Sequence, residues 1–413
     1  MNIEIVSIGD ELLKGRIVNT NGAFLCSHLS QSGFKVGRQT TLSDQDATLL
    51  SGLQEALMRS DVVICTGGLG PTLDDRTREA AAALFGCGFR MDPELAARLK
   101  KRYQHRYQAV EDQSRVPEKA RLFSNRVGSA PGLLLAEKGK TLILMPGVPK
   151  EMEPMFLEEV LPFLENKWPA KERKSTVQLY FCLIYESLLD THLREISTLF
   201  PLVEVGIYPA HGTLCVTLAS SHAEQLKNYQ QELERRFSNY IFSTTSSPLA
   251  EALMHALARR KKKLCFAESC TGGMLASLVT AIPGASDYFL GSFVVYSNAM
   301  KENVLNVSKQ TLLTFGDVSE QTVREMAEGV FTKTDADYVI AVSGVAGPTG
   351  GSEEHPVGTI WAAIGERGKP THAGKFMSFG SRETIILSAS HQLLGALWRK
   401  VEKGIDPFPF LPS

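Results

Sequence analysis

The 413-residue sequence contains no C-x-x-C pair, no H-E-x-x-H motif and no basic, apolar leader. No apolar run approaches the ~20 residues that a membrane-spanning helix needs. Each absence excludes something. Seven cysteines, an odd number without paired spacing, argue against a disulfide framework and a zinc ribbon and fit a reducing compartment. Nine scattered histidines offer no histidine-based metal site. The opening "MNIEIVSIGDELL" does not read as a signal peptide. A formal charge of −1 gives no general attraction to nucleic acid or anionic membrane. The expected setting is cytoplasmic, away from membranes and nucleic acid.

What is present is a globular balance, 43% hydrophobic and 22% charged, over a length that exceeds one ordinary core. Residues 1–170 alternate strand and helix signals. "IEIVSIG", "DVVICTGG" and "TLILMPG" read as buried strands, and "NTNGAFLCSHLSQSG" and "VPKEMEPMFLEEVLPFL" as helices. Such alternation predicts a parallel sheet covered on both faces. "ENKWPAKERKS" breaks the pattern and suits a linker. Residues 171–245 read as a small α+β module, and 246–413 alternate again, through "KLCFA", "DYVIAVSG" and "GTIWAAI" among others. The expected class is α/β: two α/β domains joined by the α+β module. The one basic run, "RRKKK" at Arg259–Lys263, follows a helical pattern and reads as cations at a helix C-terminus.

Two stretches carry chemistry. "CTGGLGPTLDD" (Cys65–Asp75) leaves a buried strand and opens a helix, so its glycines let backbone approach a ligand and the helix offers N–H groups to an anion. Ligands of open α/β sheets bind at the carboxyl ends of strands. There "GDELLKG", "NTN" (Asn19–Asn21) and "PGVPKE" would join, contributing Asp10, Glu11, Asn21 and Glu151 beside Asp74 and Asp75. Each aspartate alone suits helix capping. Carboxylates beside a phosphate-cradling loop require a hard cation such as Mg²⁺ between them.

The second stretch is "CFAESCTGG". A short strand, a Gly272–Gly273 turn and a helix place Ser269–Thr271 near helix N-terminal amides, suited to an oxyanion or to a cap. Cys270 reads as a small buried residue. Downstream lie Ser286 on a glycine turn, Tyr296 at a strand end, and Lys301, which in an apolar pocket can lose its proton and activate a serine. A glycine-rich loop, Val342–Gly358, carries Ser343 and Gly347, and Arg382 opens a helix where it could clamp a phosphate.

These blocks resemble one family. "GDELLKGRIVNTN", "TGGLGPTLDDRTREA", "GSAPG" and "PGVPKEM", in that order, look like the first domain of the competence/damage-inducible CinA family, whose fold is similar to the molybdopterin-binding MoaB/MogA domains. The resemblance implies metal-dependent hydrolysis of ADP-ribose to AMP and ribose 5-phosphate. On that reading Asp74, Asp75, Glu151 and Asp10 would hold Mg²⁺, Co²⁺ or Mn²⁺, while Gly67, Gly68, Gly70, Thr72 and Asn21 bind substrate. "AESCTGG", "PGAS", "YSNAMK", "SGVAGPTGGSEEHPVGT" and the late "SR" resemble the CinA C-terminal domain, which also occurs alone as nicotinamide mononucleotide amidohydrolase. That implies conversion of nicotinamide mononucleotide to nicotinate mononucleotide and ammonia, without a metal. Ser269, Ser286, Tyr296 and Lys301 would be catalytic, and Thr271, Gly272, Gly273, Ser343, Gly347 and Arg382 would bind substrate. Either serine is an acceptable nucleophile; Ser286 with Lys301 as acid/base is preferred, leaving Ser269 and the "CTGG" turn as a cradle. The middle module resembles the KH-like domain of full-length relatives, with "CLIYESLLDTHL" departing from its glycine-containing version. A spacer or homodimer contact is expected there. Alternatives are a pterin- or nucleotide-binding first domain without catalysis, or a competence-related interaction factor.

Overall fold

A computed structural model describes residues 1–72, 75–102, 107–169 and 174–410. The chain divides into two compact units, Met1–Lys174 and Ser175–Ser413.

In the first unit, β1 (Ile3–Ile8), β2 (Val36–Leu42), β3 (Val62–Thr66), β4 (Phe89–Met91), β5 (Arg115–Pro117), β6 (Arg121–Phe123), β7 (Gly132–Glu137) and β8 (Lys140–Met145) follow one another. Six of them form one sheet in the order β2-β1-β3-β8-β7-β6, and β4 and β5 pair separately. β1 and β3 are buried along their whole length, as a sheet covered on both faces requires. Alternate side chains of β1 serve different cores. Ile3 and Ile5 pack with the helix Thr20–Gln31 and the helical run 149–167, while Val6 and Ile8 pack with the helices Asp46–Arg59 and Thr77–Leu84.

The sheet is not wholly parallel. β2, β1, β3 and β8 are parallel, but β7 pairs antiparallel with β8 and β6 antiparallel with β7. The reason is local: Lys138 (φ 50°) and Gly139 (φ 79°) make a two-residue turn, and two residues can reverse a strand but not cross over to a parallel one.

In the second unit, β9 (Ser175–Cys182), β10 (Glu204–Ala210), β11 (Thr213–Ser220) and β12 (Ile241–Ser243) form a four-stranded sheet in the order β10-β11-β9-β12, antiparallel throughout. Burial alternates strictly along β11, so one face packs on the helices Glu186–Leu199 and Ala223–Phe237. Next come β13 (Leu264–Glu268), β14 (Phe289–Val294), β15 (Tyr338–Gly344), β16 (Thr359–Glu366) and β17 (His372–Met377), ordered β14-β13-β15-β16-β17. The first three are parallel, and β16 and β17 are antiparallel. Leu264 and Phe266 face the helices Leu249–Arg260 and Arg382–Lys403, whereas Cys265 and Ala267 face the helix Glu320–Lys333.

The basic run sits where charge balance predicts. Lys261 ends its helix in the left-handed conformation (φ 54°), Arg259 and Arg260 pair with Glu402, and Lys262 and Lys263 pair with Asp337 and Asp335. Among the described residues no helix is long and apolar enough to cross a membrane.

Candidate active sites

At the carboxyl ends of β1, β3 and β8 a cavity of about 600 Å³ opens. Its floor is the loop after β3. Gly67 holds φ 109°, and a Cβ there would lie 2.2 Å from the Ile8 carbonyl oxygen, so only glycine lets the two strand ends meet. Thr77 Oγ1 donates to the Gly67 carbonyl and Asn21 Nδ2 to that of Gly147. Asn21 Oδ1 remains buried without a partner, an acceptor for a ligand that lines this cavity. Gly67, Gly68 and Gly70 line it, as do Glu11, Asp44, Asp75 and Glu151, and among the described residues no lysine or arginine does.

Of the carboxylates expected to hold a metal, Asp75 and Glu151 line the cavity and Asp10 does not. Asp10 turns away from the cavity to Lys14 Nζ and Ser43 Oγ, each at 2.7 Å, and the Lys14 hydrogen bond lowers its pKa. Asp75 accepts from the Thr72 amide at 2.9 Å and from the Thr72 hydroxyl. Thr72 therefore spends both donors on Asp75 and does not line the cavity. Glu151 accepts from Asn125 Nδ2 at 2.8 Å. Asp74 lies outside the described residues. Among the described residues no three His, Cys, Asp or Glu side chains are placed to share an ion.

In the second unit the chemistry gathers at the carboxyl ends of β13, β14 and β15. Glu268 closes β13 with its side chain wholly buried. It accepts from the Gly273, Leu275 and Ala276 amides and from the Thr271 and Ser292 hydroxyls, at 2.8–3.1 Å. A buried carboxylate survives only when so bonded, and here it supplies the charge that the start of the helix Met274–Thr280 attracts. The expected anion cradle is thereby occupied from within. The Thr271 hydroxyl and the Gly273 amide hold Glu268. Gly272, at φ 59° with open space around its Cβ position, serves the turn.

Ser269 stands beside this turn, 6% exposed, its amide donating to the Val342 carbonyl. The Cys270 thiol, buried and pushed up to about 12, is no nucleophile. It feels the charges of Lys301 and Arg382. Lys301 lies on the helix Asn298–Leu305, capped by Ser297. Its side chain is fully buried, and Nζ has no hydrogen-bond partner. Burial lowers its pKa, against a weaker upward pull from Asp317. Ser343 Oγ donates to the Asp317 carbonyl at 2.6 Å. Arg382 donates to the Tyr296 hydroxyl at 2.9 Å and to the Gly347 carbonyl at 2.6 Å. Gly347 adopts φ 77°, and a Cβ there would press on Val357 at 2.5 Å.

Ser286 is elsewhere. It is exposed in the turn Ala285–Asp287 that enters β14, while Lys301 follows the far end of that strand. Six extended residues separate the two ends by about 20 Å. Within one chain the preferred Ser286–Lys301 pair is therefore not formed. Ser269, just after β13, lies at the same sheet edge as Lys301, as do Ser297 and Ser343. Sequence reasoning missed Glu268, Ser292 and Asp317. Only Glu268 left a signal, an acid ending a strand ahead of a T-G-G turn.

The folds and sites define a fusion of two α/β domains, each with a polar site at the carboxyl edge of its sheet. Residues 4–166 match the family described as "Probable molybdopterin binding domain", and residues 246–401 match "CinA C-terminal domain". The chain belongs to the CinA family. It is similar to a "CinA-like protein" of Thermotoga neapolitana, 38% identical over 92% of this chain and 93% of that one. A "CinA-like protein" of Thermotoga maritima is 36% identical over 97% and 98%. A solved structure, "the protein CinA with unknown function from Thermoplasma acidophilum", is 38% identical over 40% of this chain and 96% of its own, with a TM-score of 0.37.

Proposed function

We propose that the C-terminal site hydrolyses the carboxamide of nicotinamide mononucleotide, giving nicotinate mononucleotide and ammonia. The observation that carries this reading is Lys301, an amine fully buried with no partner beside a serine turn. Nothing structural is gained by burying it, since an unpartnered buried amine costs stability. A neutral amine can take the proton of the Ser269 hydroxyl as its Oγ attacks the carboxamide carbon. It then gives that proton to the departing nitrogen as the C–N bond breaks, and water releases nicotinate mononucleotide from the serine ester. The amides of Cys270 and Thr271 would be the oxyanion donors, since those of Gly272, Gly273 and Leu275 are engaged. Arg382, held by Tyr296 and Gly347, suits the substrate phosphate. Ammonia release from nicotinamide mononucleotide by the full chain, with chelator throughout, tests it. Silence from folded protein refutes it.

The N-terminal cavity is proposed to receive ADP-ribose and cleave it to AMP and ribose 5-phosphate. Among the described residues four carboxylates and no cationic side chain line it, so the pyrophosphate would arrive complexed with Mg²⁺, Co²⁺ or Mn²⁺ as part of the substrate. AMP release across a metal titration is the test. Stabilisation by ligand without turnover would instead mark a pterin- or nucleotide-binding module. A homodimer remains part of the proposal, because β14 is an edge strand with Leu290 and Val294 exposed.

A further inference from the structure

Where the β10–β11 hairpin meets the helix Arg382–Lys403, a cavity of about 210 Å³ lies between the α+β module and the C-terminal domain. The hairpin is seated closely. Gly212 holds φ 75°, and a Cβ there would lie 3.0 Å from both His391 Cβ and the Ser388 carbonyl. Leu183, Pro209, Leu214, Phe376 and Phe410 line it, and the Phe376 and Phe410 ring centroids are 4.7 Å apart.

The polar side chains around this space are few: the Tyr185 and Thr213 hydroxyls, the Glu186 carboxyl and the Gln392 amide. Gln392 lines it, and its Oε1 is buried without a partner. Glu186 is a further acceptor in the lining, and among the described residues no lysine, arginine or histidine lines the cavity. An orphaned carbonyl costs about 1–3 kcal/mol unless a donor reaches it. Aromatic walls favour a flat ring. A phosphate would meet Glu186 and no compensating cation. The volume lies below the ~300–1,000 Å³ of sites for drug-sized ligands, room for one or two rings.

We propose that this cavity binds a neutral heteroaromatic base carrying an N–H donor, free rather than phosphorylated. The donor meets Gln392 Oε1 and the ring lies against Phe376 and Phe410. The site is separate from that proposed for catalysis and stands whether or not that reading holds. It is also placed to report on the catalytic edge. Gln392 shares its helix with Arg382, ten residues or ~15 Å away. Met377, in the lining, receives a contact from Thr359 Oγ1 at 3.6 Å, at the base of the glycine-rich loop.

The test is isothermal titration of the full chain with adenine and with nicotinamide, and with AMP as the phosphorylated comparator. At least one free base should bind saturably, one per chain, and AMP should not bind at this site. Gln392→Leu, which keeps the volume and removes the acceptor, should weaken that binding about tenfold, a change of about 1.4 kcal/mol. Ala210→Trp, at an exposed position in the lining, should abolish it with the melting temperature unchanged. Three outcomes overturn the proposal: no heat with either base, a base that binds Gln392→Leu as tightly as the unaltered chain, or undiminished binding to Ala210→Trp.

Discussion

Arg382 donates to the Tyr296 hydroxyl at 2.9 Å across 86 residues of sequence, while its other terminal nitrogen holds the Gly347 carbonyl. Three elements, the end of β14, the glycine-rich loop and the start of the last helix, thus meet on one guanidinium. If this fork receives the substrate phosphate, Arg382→Ala should raise the KM for nicotinamide mononucleotide about tenfold or more, with kcat changed less. Tyr296→Phe, which keeps the ring and removes the acceptor, should have a smaller effect of the same kind. Initial-rate kinetics decide it, and an unchanged KM in Arg382→Ala would remove the residue from the site.

Lys301→Met should abolish amidase turnover and yet stabilise the C-terminal unit. Burial lowers the folded-state pKa of Lys301, so the unfolded chain takes up this proton at higher pH than the folded one. The destabilisation is full below the folded pKa and fades as pH rises towards the ordinary lysine range. The gain should be about 1–3 kcal/mol at neutral pH and smaller in alkaline buffer. Turnover of the unaltered protein should fall as acid protonates the same amine. Calorimetry at two pH values together with a rate profile would check both halves, and a destabilised Lys301→Met would contradict the argument.

The two serines separate cleanly. Ser269→Ala should remove turnover, whereas Ser286→Ala, exposed at the opposite end of β14, should retain most of it. A large loss in Ser286→Ala, rescued by mixing with Lys301→Ala chains, would instead assign Ser286 to the site of a second copy.

Glu268→Gln replaces a carboxylate that takes five donors with an amide that can accept through one atom only. A loss of about 1.5–3 kcal/mol from the C-terminal unit is expected, that being the size of hydrogen bonds to a charged group. Turnover should fall as well, because the same turn carries Ser269. Thermal unfolding of the full chain measures the first effect, and an unshifted transition would mean that the helix start does not need the charge.

Much of this was legible in residue order. The buried strands β1, β3, β8, β13 and β15 were readable as unbroken apolar runs, and the helix Glu320–Lys333 from its spacing and Ser319 cap. β2 was not legible, since "VGRQTTL" is only partly buried and pairs at an edge of its sheet. Nor was β7, whose hairpin turns on Lys138–Gly139 rather than on an Asn-Gly or Asp-Gly pair. The strand reading of "GTIWAAI" was sound, but nothing in that run says that β16 lies antiparallel to β15.

By itself the sequence determined which residue types sit near each strand end, because local patterning fixes where a strand stops and a helix begins. The glycine turns after β3 and β13 and the family they mark came from that alone. Only the tertiary structure decided which of those side chains meet. Asp10 and Thr72 belong to the right loops but point to Lys14, Ser43 and Asp75, and Ser286 lies a strand length from Lys301. Glu268, unremarked in the sequence, takes the amides that a substrate had been expected to use. The physical reason is competition: every donor at a strand end has several acceptors within a few residues, and packing chooses among them.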